Sequence, residues 1–105
     1  MAKGVLVVAS NAVDEEHEAE FNRWYDEVHV PQLLQIPGFV GVRRFRQAAA
    51  DGKGHRYLAV YELEADDLNE PVREMRARSQ AGRHESTPAL QRDPPPMVTL
   101  YELLP

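Results

Sequence analysis

The clearest strand signal in the chain is the stretch Tyr57-Leu58-Ala59-Val60-Tyr61-Glu62-Leu63. Alternate residues of a strand point to opposite faces of the sheet, so the four odd-numbered side chains share one face, and Leu58 and Val60 share the other. Both faces are largely apolar. We therefore predict a strand over residues 55–64 that is covered on both sides of its sheet.

Three further strands are predicted around this one. Residues 39–46 precede it, and the loop Asp51-Gly52-Lys53-Gly54 is predicted to close a hairpin between the two. Strict alternation would place Phe39 on the same face as Arg43 and Phe45. Residues 4–10 form a short apolar, β-branched run that is typical of a buried strand, and residues 98–103 form the last strand.

Two helices are predicted between the strands. The first runs from residue 15 to residue 28 or 29 with Asp14 as its N-cap, and we expect it to break or kink before Pro31, because a proline disfavours helical geometry in the preceding residue. The second starts after Asp66 or Asp67, and its inward stripe is predicted to be Leu68, Val72, Met75 and Ser79. Residues 80–96 form a long irregular connection, which is typical of lids and binding loops.

This order of elements predicts an α+β, ferredoxin-like βαββαβ fold with a four-stranded antiparallel sheet and both helices on one face. Residues 1–105 have the length of a single domain. The face without helices would expose apolar side chains, so we predict a homodimer whose two sheets pack face to face. The alternative is a monomer with a partly wet sheet.

Composition narrows the classes of partner. The net charge of -5 argues against a nucleic acid and against an anionic membrane surface. The chain has no cysteine, which excludes disulfides, thiolate metal sites and a cysteine nucleophile. The apolar run that follows Met1 is too short for a signal sequence or a membrane span, so a cytoplasmic location is the default prediction.

An ideal α-helix turns about 100° per residue, which divides the first helix into stripes. The core stripe is predicted to contain His17, Phe21, Trp24 and Val28. A second stripe borders it, and the rim of a pocket is built in this way, with polar groups next to buried ones. This edge stripe contains Asn22, Tyr25, Asp26 and His29.

His29 is the main candidate for chemistry, because an imidazole titrates near neutral pH and can act as a general acid or base. Asp26 is predicted to orient the imidazole or to stabilise its charge, and the Tyr25 hydroxyl is predicted to hold a substrate oxygen. Purely structural interpretations stay open. His29 could cap free helix carbonyls, Asp26 could be an exposed charge, and Tyr25 and Trp24 could be core aromatics.

Arg44 and Tyr57 lie on the central strands and are candidates for facing the pocket; the alternative is a cross-strand pair or a dimer contact. The four histidines show no metal-ligand spacing, so no metal is expected. A haem would need cationic side chains to bind its propionates, and the obvious candidates are only Arg43, Arg44 and Arg46. No cofactor is therefore expected either.

Several of these residues form a pattern with fixed spacing. Phe21-Asn22-x-Trp24-Tyr25-x-x-x-His29-x-Pro31, followed by Pro37-Gly38-Phe39 and Arg43-Arg44-Phe45, resembles the EthD-like family of the dimeric α+β barrel superfamily. The resemblance covers the first half of the chain closely, and the second half only through two strands. It implies a homodimer whose sheets form a barrel, a pocket between each sheet and its own helices, and His29, the histidine before the proline, as the catalytic candidate.

Two classes of function follow. The first is a cofactor-free enzyme in which His29 moves a proton on a small carbonyl or aromatic, polyketide-type substrate while Asp26 orients it. Cyclase, dehydratase, isomerase or lyase chemistry would fit, and the related barrels also include cofactor-free monooxygenases. The second class is a small-molecule-binding or accessory protein without chemistry. The candidates for contact with the small molecule are Asn22, Trp24, Tyr25, Arg44 and Tyr57.

Overall fold

The structure is a computed structural model that describes residues 1–49 and 53–105, so Asp51 and Gly52 of the predicted hairpin loop lie outside the described residues. Four strands form one antiparallel sheet in the order β2-β3-β1-β4. Helical segments occupy the connections from β1 to β2 and from β3 to β4, which confirms the predicted ferredoxin-like α+β fold. The strands are β1 Ala2–Ser10, β2 Phe39–Arg46, β3 Tyr57–Ala65 and β4 Met97–Glu102.

The central strand β3 alternates as its sequence predicts. The side chains of Tyr57, Ala59, Tyr61 and Leu63 are buried, and Leu6 of β1 stands opposite Tyr61. The helices add side chains to the same core cluster, so both helical layers pack on one face of the sheet. The main helical contributors are Phe21, Trp24, Tyr25, Leu33 and Val72.

The opposite face of the sheet carries exposed apolar side chains, among them Val40 and Tyr101, which are 54% and 55% exposed. They line a depression of about 630 Å³ together with Val5 and Leu103. No helix within residues 1–49 and 53–105 packs in this depression.

A β-bulge changes the faces of β2. The register shifts between Phe39 and Gly41. Phe39 is buried, and after the bulge Val42 packs against the core while Phe45 is exposed. The prediction that Phe39 shares a face with Arg43 and Phe45 is therefore wrong, because the extra residue in the bulge reverses the alternation.

The first helical region continues through Pro31. A 3-10 turn, Glu15–His17, leads into α1, Glu18–Trp24; a π-helix, Tyr25–His29, follows, and then α2, Val30–Leu34. Val30 has ordinary helical angles (φ -59°, ψ -49°), and its N–H donates to the carbonyl of Tyr25, five residues back. The wider π turn relieves the clash that the Pro31 ring makes in a regular helix, and burial of Leu33 stabilises the continuation. The predicted break before Pro31 is therefore wrong, and the regular α-helix is instead interrupted by the π turn just before this proline.

The start of this region also departs from the ideal wheel. Asp14 is the N-cap, as predicted, and its side chain accepts from the backbone N–H of His17. The His17 ring is exposed, with Nδ1 2.6 Å from Asp14 Oδ1. The prediction of His17 in the core stripe is wrong. A 3-10 turn has about three residues per turn, so its side chains do not point in the directions that the α-helical wheel assigns to them.

The second helix, α3, spans Asn69–Gln80. Leu68 and Val72 are buried beneath it, and Met75 packs against the core. Ser79 is exposed and lies outside the packed core, although it is on the side of α3 that faces the cavity described below. None of the helices in the described ranges has the length and apolar character that a membrane span requires.

Candidate functional site

A cavity of about 320 Å³ lies between the first helical region and α3. The C-terminal end of β1, the start of β4 and the irregular segment after α3 complete its walls. This volume is at the lower end of the range for small-molecule pockets. Trp24, Tyr25 and His29 are the only three of the seven predicted site residues that line it. The full lining is Val8, Ser10, Trp24, Tyr25, His29, Met75, Arg76, Ser79, His84, Glu85, Ser86, Leu90, Arg92, Pro96 and Val98.

The irregular segment of residues 81–96 is held against the rest of the domain. Trp24 Nε1 donates to the carbonyl of Glu85 at 3.0 Å, and the backbone N–H of Val13 donates to the carbonyl of Ala89 at 2.7 Å. Thr87 and Ala89 are buried. The long connection that the sequence predicts as a lid or binding loop therefore supplies one side of the cavity.

The π-helix determines where His29 lies. On an ideal wheel, residues five apart differ by about 140°, so Trp24 and His29 would point in different directions. In a π turn, residues five apart come close to one above the other. The His29 ring accordingly stacks on Trp24 with 4.6 Å between ring centroids and 17° between planes. It also meets Tyr25 edge to face at 5.2 Å.

The environment of His29 favours the neutral imidazole. Burial lowers the pKa of His29 to about 4, and the positive charges of His84 and Arg44 act in the same direction. Within the described residues, Nδ1 is buried and has no hydrogen-bond partner. The helix continues past His29, so the interpretation of this side chain as a cap for free carbonyls is wrong.

Tyr25 is both a core aromatic and a cavity residue. Its ring is 2% exposed, and the guanidinium of Arg44 lies 4.3 Å from the ring centroid. Burial raises the pKa of Tyr25, which keeps its hydroxyl protonated at neutral pH. A protonated hydroxyl is a hydrogen-bond donor, and its neighbours within the protein are the hydroxyls of Tyr61 and Ser10.

Asp26 does not orient His29. Its Oδ1 accepts from Arg44 Nη1 at 2.8 Å, and its side chain is 63% exposed. The predicted contact between Asp26 and His29 is therefore wrong. The π turn that places the imidazole over Trp24 also rotates it away from the helix face that carries Asp26.

The remaining predicted residues form a second group at the edge of the helix. Arg44 Nη2 donates to Asn22 Oδ1 at 2.8 Å, Asn22 Nδ2 lies 3.3 Å from the hydroxyl of Tyr57, and that hydroxyl donates to Glu18 Oε1 at 2.9 Å. These bonds join the first helix to β2 and β3. Arg44 and Tyr57 therefore make a bridge between helix and sheet, outside the cavity.

The sequence analysis missed the cavity residues contributed by α3 and by the segment that follows it. His84 is the most notable, because it is close enough to His29 to lower the pKa of that group. Arg76 and Arg92 line the same cavity. The only signal in the sequence was the unusual length of the irregular connection, and length does not indicate where each side chain lies.

Within the described ranges, no group of three or more His, Asp or Glu side chains is placed to hold a metal ion. The three arginines considered for haem propionates lie on β2, and only Arg44 touches the helix.

Comparisons with known proteins support the fold. A candidate monooxygenase from Shewanella loihica PV-4 has a TM-score of 0.64 and 17% identity, over 100% of this chain and 98% of that one. An ethyl tert-butyl ether d (ethd) family protein from Bacillus halodurans C-125 has a TM-score of 0.63 and 16% identity, over 99% of this chain and 100% of that one. The likeness confirms, at the level of the fold, the predicted resemblance to EthD-like proteins.

No curated protein matches the chain. Residues 7–85 match the family described as "Domain of unknown function (DUF4286)". Since this match spans well over half of the chain, the protein belongs to the DUF4286 family.

Proposed function

We propose that the protein is a small-molecule enzyme that works without a cofactor, in which the neutral imidazole of His29 takes a proton from a carbonyl or aromatic substrate. One observation carries the proposal. His29 lines the cavity, its ring is fixed by stacking on Trp24, and its buried Nδ1 has no protein partner within the described residues. Leaving a buried nitrogen without a partner costs about 1–3 kcal/mol of stability.

The protonation states suit a base and a hydrogen-bond donor side by side. With a pKa of about 4, His29 is neutral at pH 7 and has a free lone pair. Tyr25 is protonated and lines the same cavity. A proton that leaves the carbon next to a carbonyl would pass to His29, while the Tyr25 hydroxyl would stabilise the enolate oxygen. Cyclisation, dehydration, isomerisation and lyase reactions can all begin with this step.

The other predicted residues receive indirect roles in this proposal. Trp24 positions the His29 ring. Arg44 connects β2 to Asn22 and Asp26 and covers the ring of Tyr25, so it positions the π turn and does not contact the substrate. Tyr57 belongs to the same bridge.

A non-catalytic binding protein is the second candidate function. No hydrogen bond or ion pair in the described chain joins a carboxylate to His29, and this favours the second candidate, since Asp26 pairs with Arg44. Without such a partner, the imidazole lacks the group that usually orients a catalytic base. Cofactor-free monooxygenation stays a predicted alternative, supported by the name of the similar Shewanella loihica protein.

We also propose that two copies pair through the sheet face that carries no helix. The exposed side chains of Val40, Phe45 and Tyr101 support this arrangement, because an apolar sheet face is stabilised by a cover. Sedimentation of the protein and of a Tyr101→Glu variant tests it: a dimer that becomes a monomer in the variant is expected, and a monomeric native protein would contradict it. The cytoplasmic location stays a prediction.

Proton abstraction can be tested without knowledge of the natural substrate. Acetophenone and phenylpyruvate in D₂O would be followed by NMR for exchange of the hydrogens next to the carbonyl. We expect the protein to accelerate exchange and His29→Gln to lose about 100-fold or more of the acceleration, which is the usual contribution of a general base.

His17→Gln is a matched control, because His17 is an exposed histidine of the same helical region and its ring hydrogen-bonds to Asp14, away from the cavity. This variant is expected to accelerate hydrogen exchange of the ketones as much as the native protein does. Equal rates for the native protein and His29→Gln, or no acceleration by the native protein, would contradict the base. If Trp24 fluorescence still reports binding of the ketones in that case, the binding-protein candidate is favoured.

A further inference from the structure

Two arginines that line the cavity indicate the charge of its ligand, which the candidate base does not specify. Five arginines of the described chain are held in ion pairs, at distances that include 2.8 Å for Arg78 and Glu74 and 3.3 Å for Arg73 and Asp67. Arg76 lies between these two on α3 and forms no ion pair in the described chain. The paired arginines are Arg23, Arg44, Arg56, Arg73 and Arg78.

Arg92 approaches the same cavity from the opposite side. It belongs to the irregular segment, and its only hydrogen bond in the described chain is a long one, 3.4 Å from Nη2 to the carbonyl of Thr87. Glu85 also lines the cavity, but no ion pair within the described residues joins it to Arg76 or Arg92. Two arginines from two elements thus line one cavity, together with Glu85, and neither forms an ion pair with a carboxylate of the described chain.

The rest of the lining indicates the shape of the ligand. Trp24 and His29 are stacked, and Tyr25 meets both rings edge to face. Apolar side chains such as Met75 and Leu90 add to these rings. A lining that is mostly aromatic and apolar favours a ligand with an apolar ring, and a planar guanidinium matches the two oxygens of a carboxylate.

We infer that the cavity takes a small aromatic molecule that carries a carboxylate or a similar delocalised anionic group, and that Arg76 and Arg92 bind this group. The inference rests on the proposed function and deepens it by naming the class of substrate. The positive charge near the cavity agrees with an anionic ligand. The pKa of His84, which lines the cavity, is lowered first by burial and then by the charges of Arg78 and Arg83.

The only tryptophan of the chain reports on this cavity. Trp24 fluorescence would be titrated with benzoate and with benzamide, which share one ring and differ in charge. We expect benzoate to bind about tenfold or more tightly than benzamide, as charge-assisted hydrogen bonds to two guanidinium groups imply. Saturable quenching that does not distinguish the two compounds, or no quenching by either at millimolar concentration, would overturn the inference.

Variants then locate the anion. The double variant Arg76→Gln/Arg92→Gln is expected to lose the preference for benzoate while its affinity for benzamide stays the same. Both arginines are exposed, so the fold is expected to tolerate the change. Arg73→Gln, on the same helix but paired with Asp67 and outside the cavity, is the control and should keep the preference. A double variant that also keeps it refutes the role of these arginines.

Acetate tests the aromatic part of the inference. We expect it to displace benzoate only weakly, because it has no ring to pack against the aromatic and apolar lining. Displacement at equal concentration would overturn that part. All of these measurements concern binding alone, so they can succeed when the proton-abstraction assay fails. Conversely, a functional base in His29 with equal affinity for benzoate and benzamide would refute the anionic ligand and leave the proposed function standing.

Discussion

Replacing His29 by Phe should remove a pH-dependent part of the stability of the protein. The pKa of His29 is lowered from 6.5 to about 4, mainly by burial. Each unit of difference between the folded and unfolded pKa corresponds to about 1.4 kcal/mol, so the neutral imidazole is linked to about 3 kcal/mol of folding stability. His29→Phe keeps an aromatic ring over Trp24 but has no group that titrates.

The sign follows from the direction of the change. As pH falls below about 6.5, the unfolded chain binds a proton at His29 and the folded chain does not, so the native protein loses stability. The loss amounts to about 2 kcal/mol by pH 5 and about 3 kcal/mol near pH 4, and the stability is fully present above about pH 7. The variant lacks this contribution. Its carboxylates titrate as in the native protein, so their effect on stability is the same in both proteins.

Urea unfolding followed by circular dichroism, at one protein concentration and a series of pH values, measures the effect. The quantity of interest is the difference in unfolding free energy between native protein and variant, with the value at pH 7 as baseline. His17, whose pKa is raised by its hydrogen bond to Asp14, is present in both proteins and cancels in this difference. A difference that stays constant from pH 7 to about 5 would show that His29 is not desolvated and would refute the reasoning.

Two further predictions concern the packing around the site. Gly38→Ala should cost about 1–3 kcal/mol in urea unfolding, because Gly38 has φ 103° and a Cβ would lie 2.7 Å from Pro71 Cγ; Gly54→Ala, with φ 69° and open space around it, should cost less. Tyr61→Phe should change the melting temperature little, because no hydrogen bond of good geometry holds the buried Tyr61 hydroxyl within the described residues and its polar neighbour is the Tyr25 hydroxyl. A clear fall in melting temperature would instead show that this hydroxyl bonds to the neighbouring Tyr25.

Particular residues show how far sequence patterns reach in this protein. The alternation in β3 correctly predicted which side chains are buried, because a strand has a fixed period of two and its apolar residues obey it. The same rule failed in β2, where the bulge after Phe39 adds a residue that no local pattern marks. Trp24 and His29 were assigned to different stripes of one helix, and the π turn stacks them.

The sequence by itself determined the order of the elements and the ferredoxin-like fold, because apolar periodicity and turn residues act over short distances. It also singled out His29 as the candidate base, which stays a prediction. Only the tertiary structure decided what surrounds His29. Burial of Leu33 carries the helix through Pro31, and the resulting π turn moves the imidazole away from Asp26. His84, Arg76 and Arg92 reach the cavity from elements far along the chain. Such contacts depend on how the irregular segment packs, and side chains distant in sequence leave no periodic signal of their meeting.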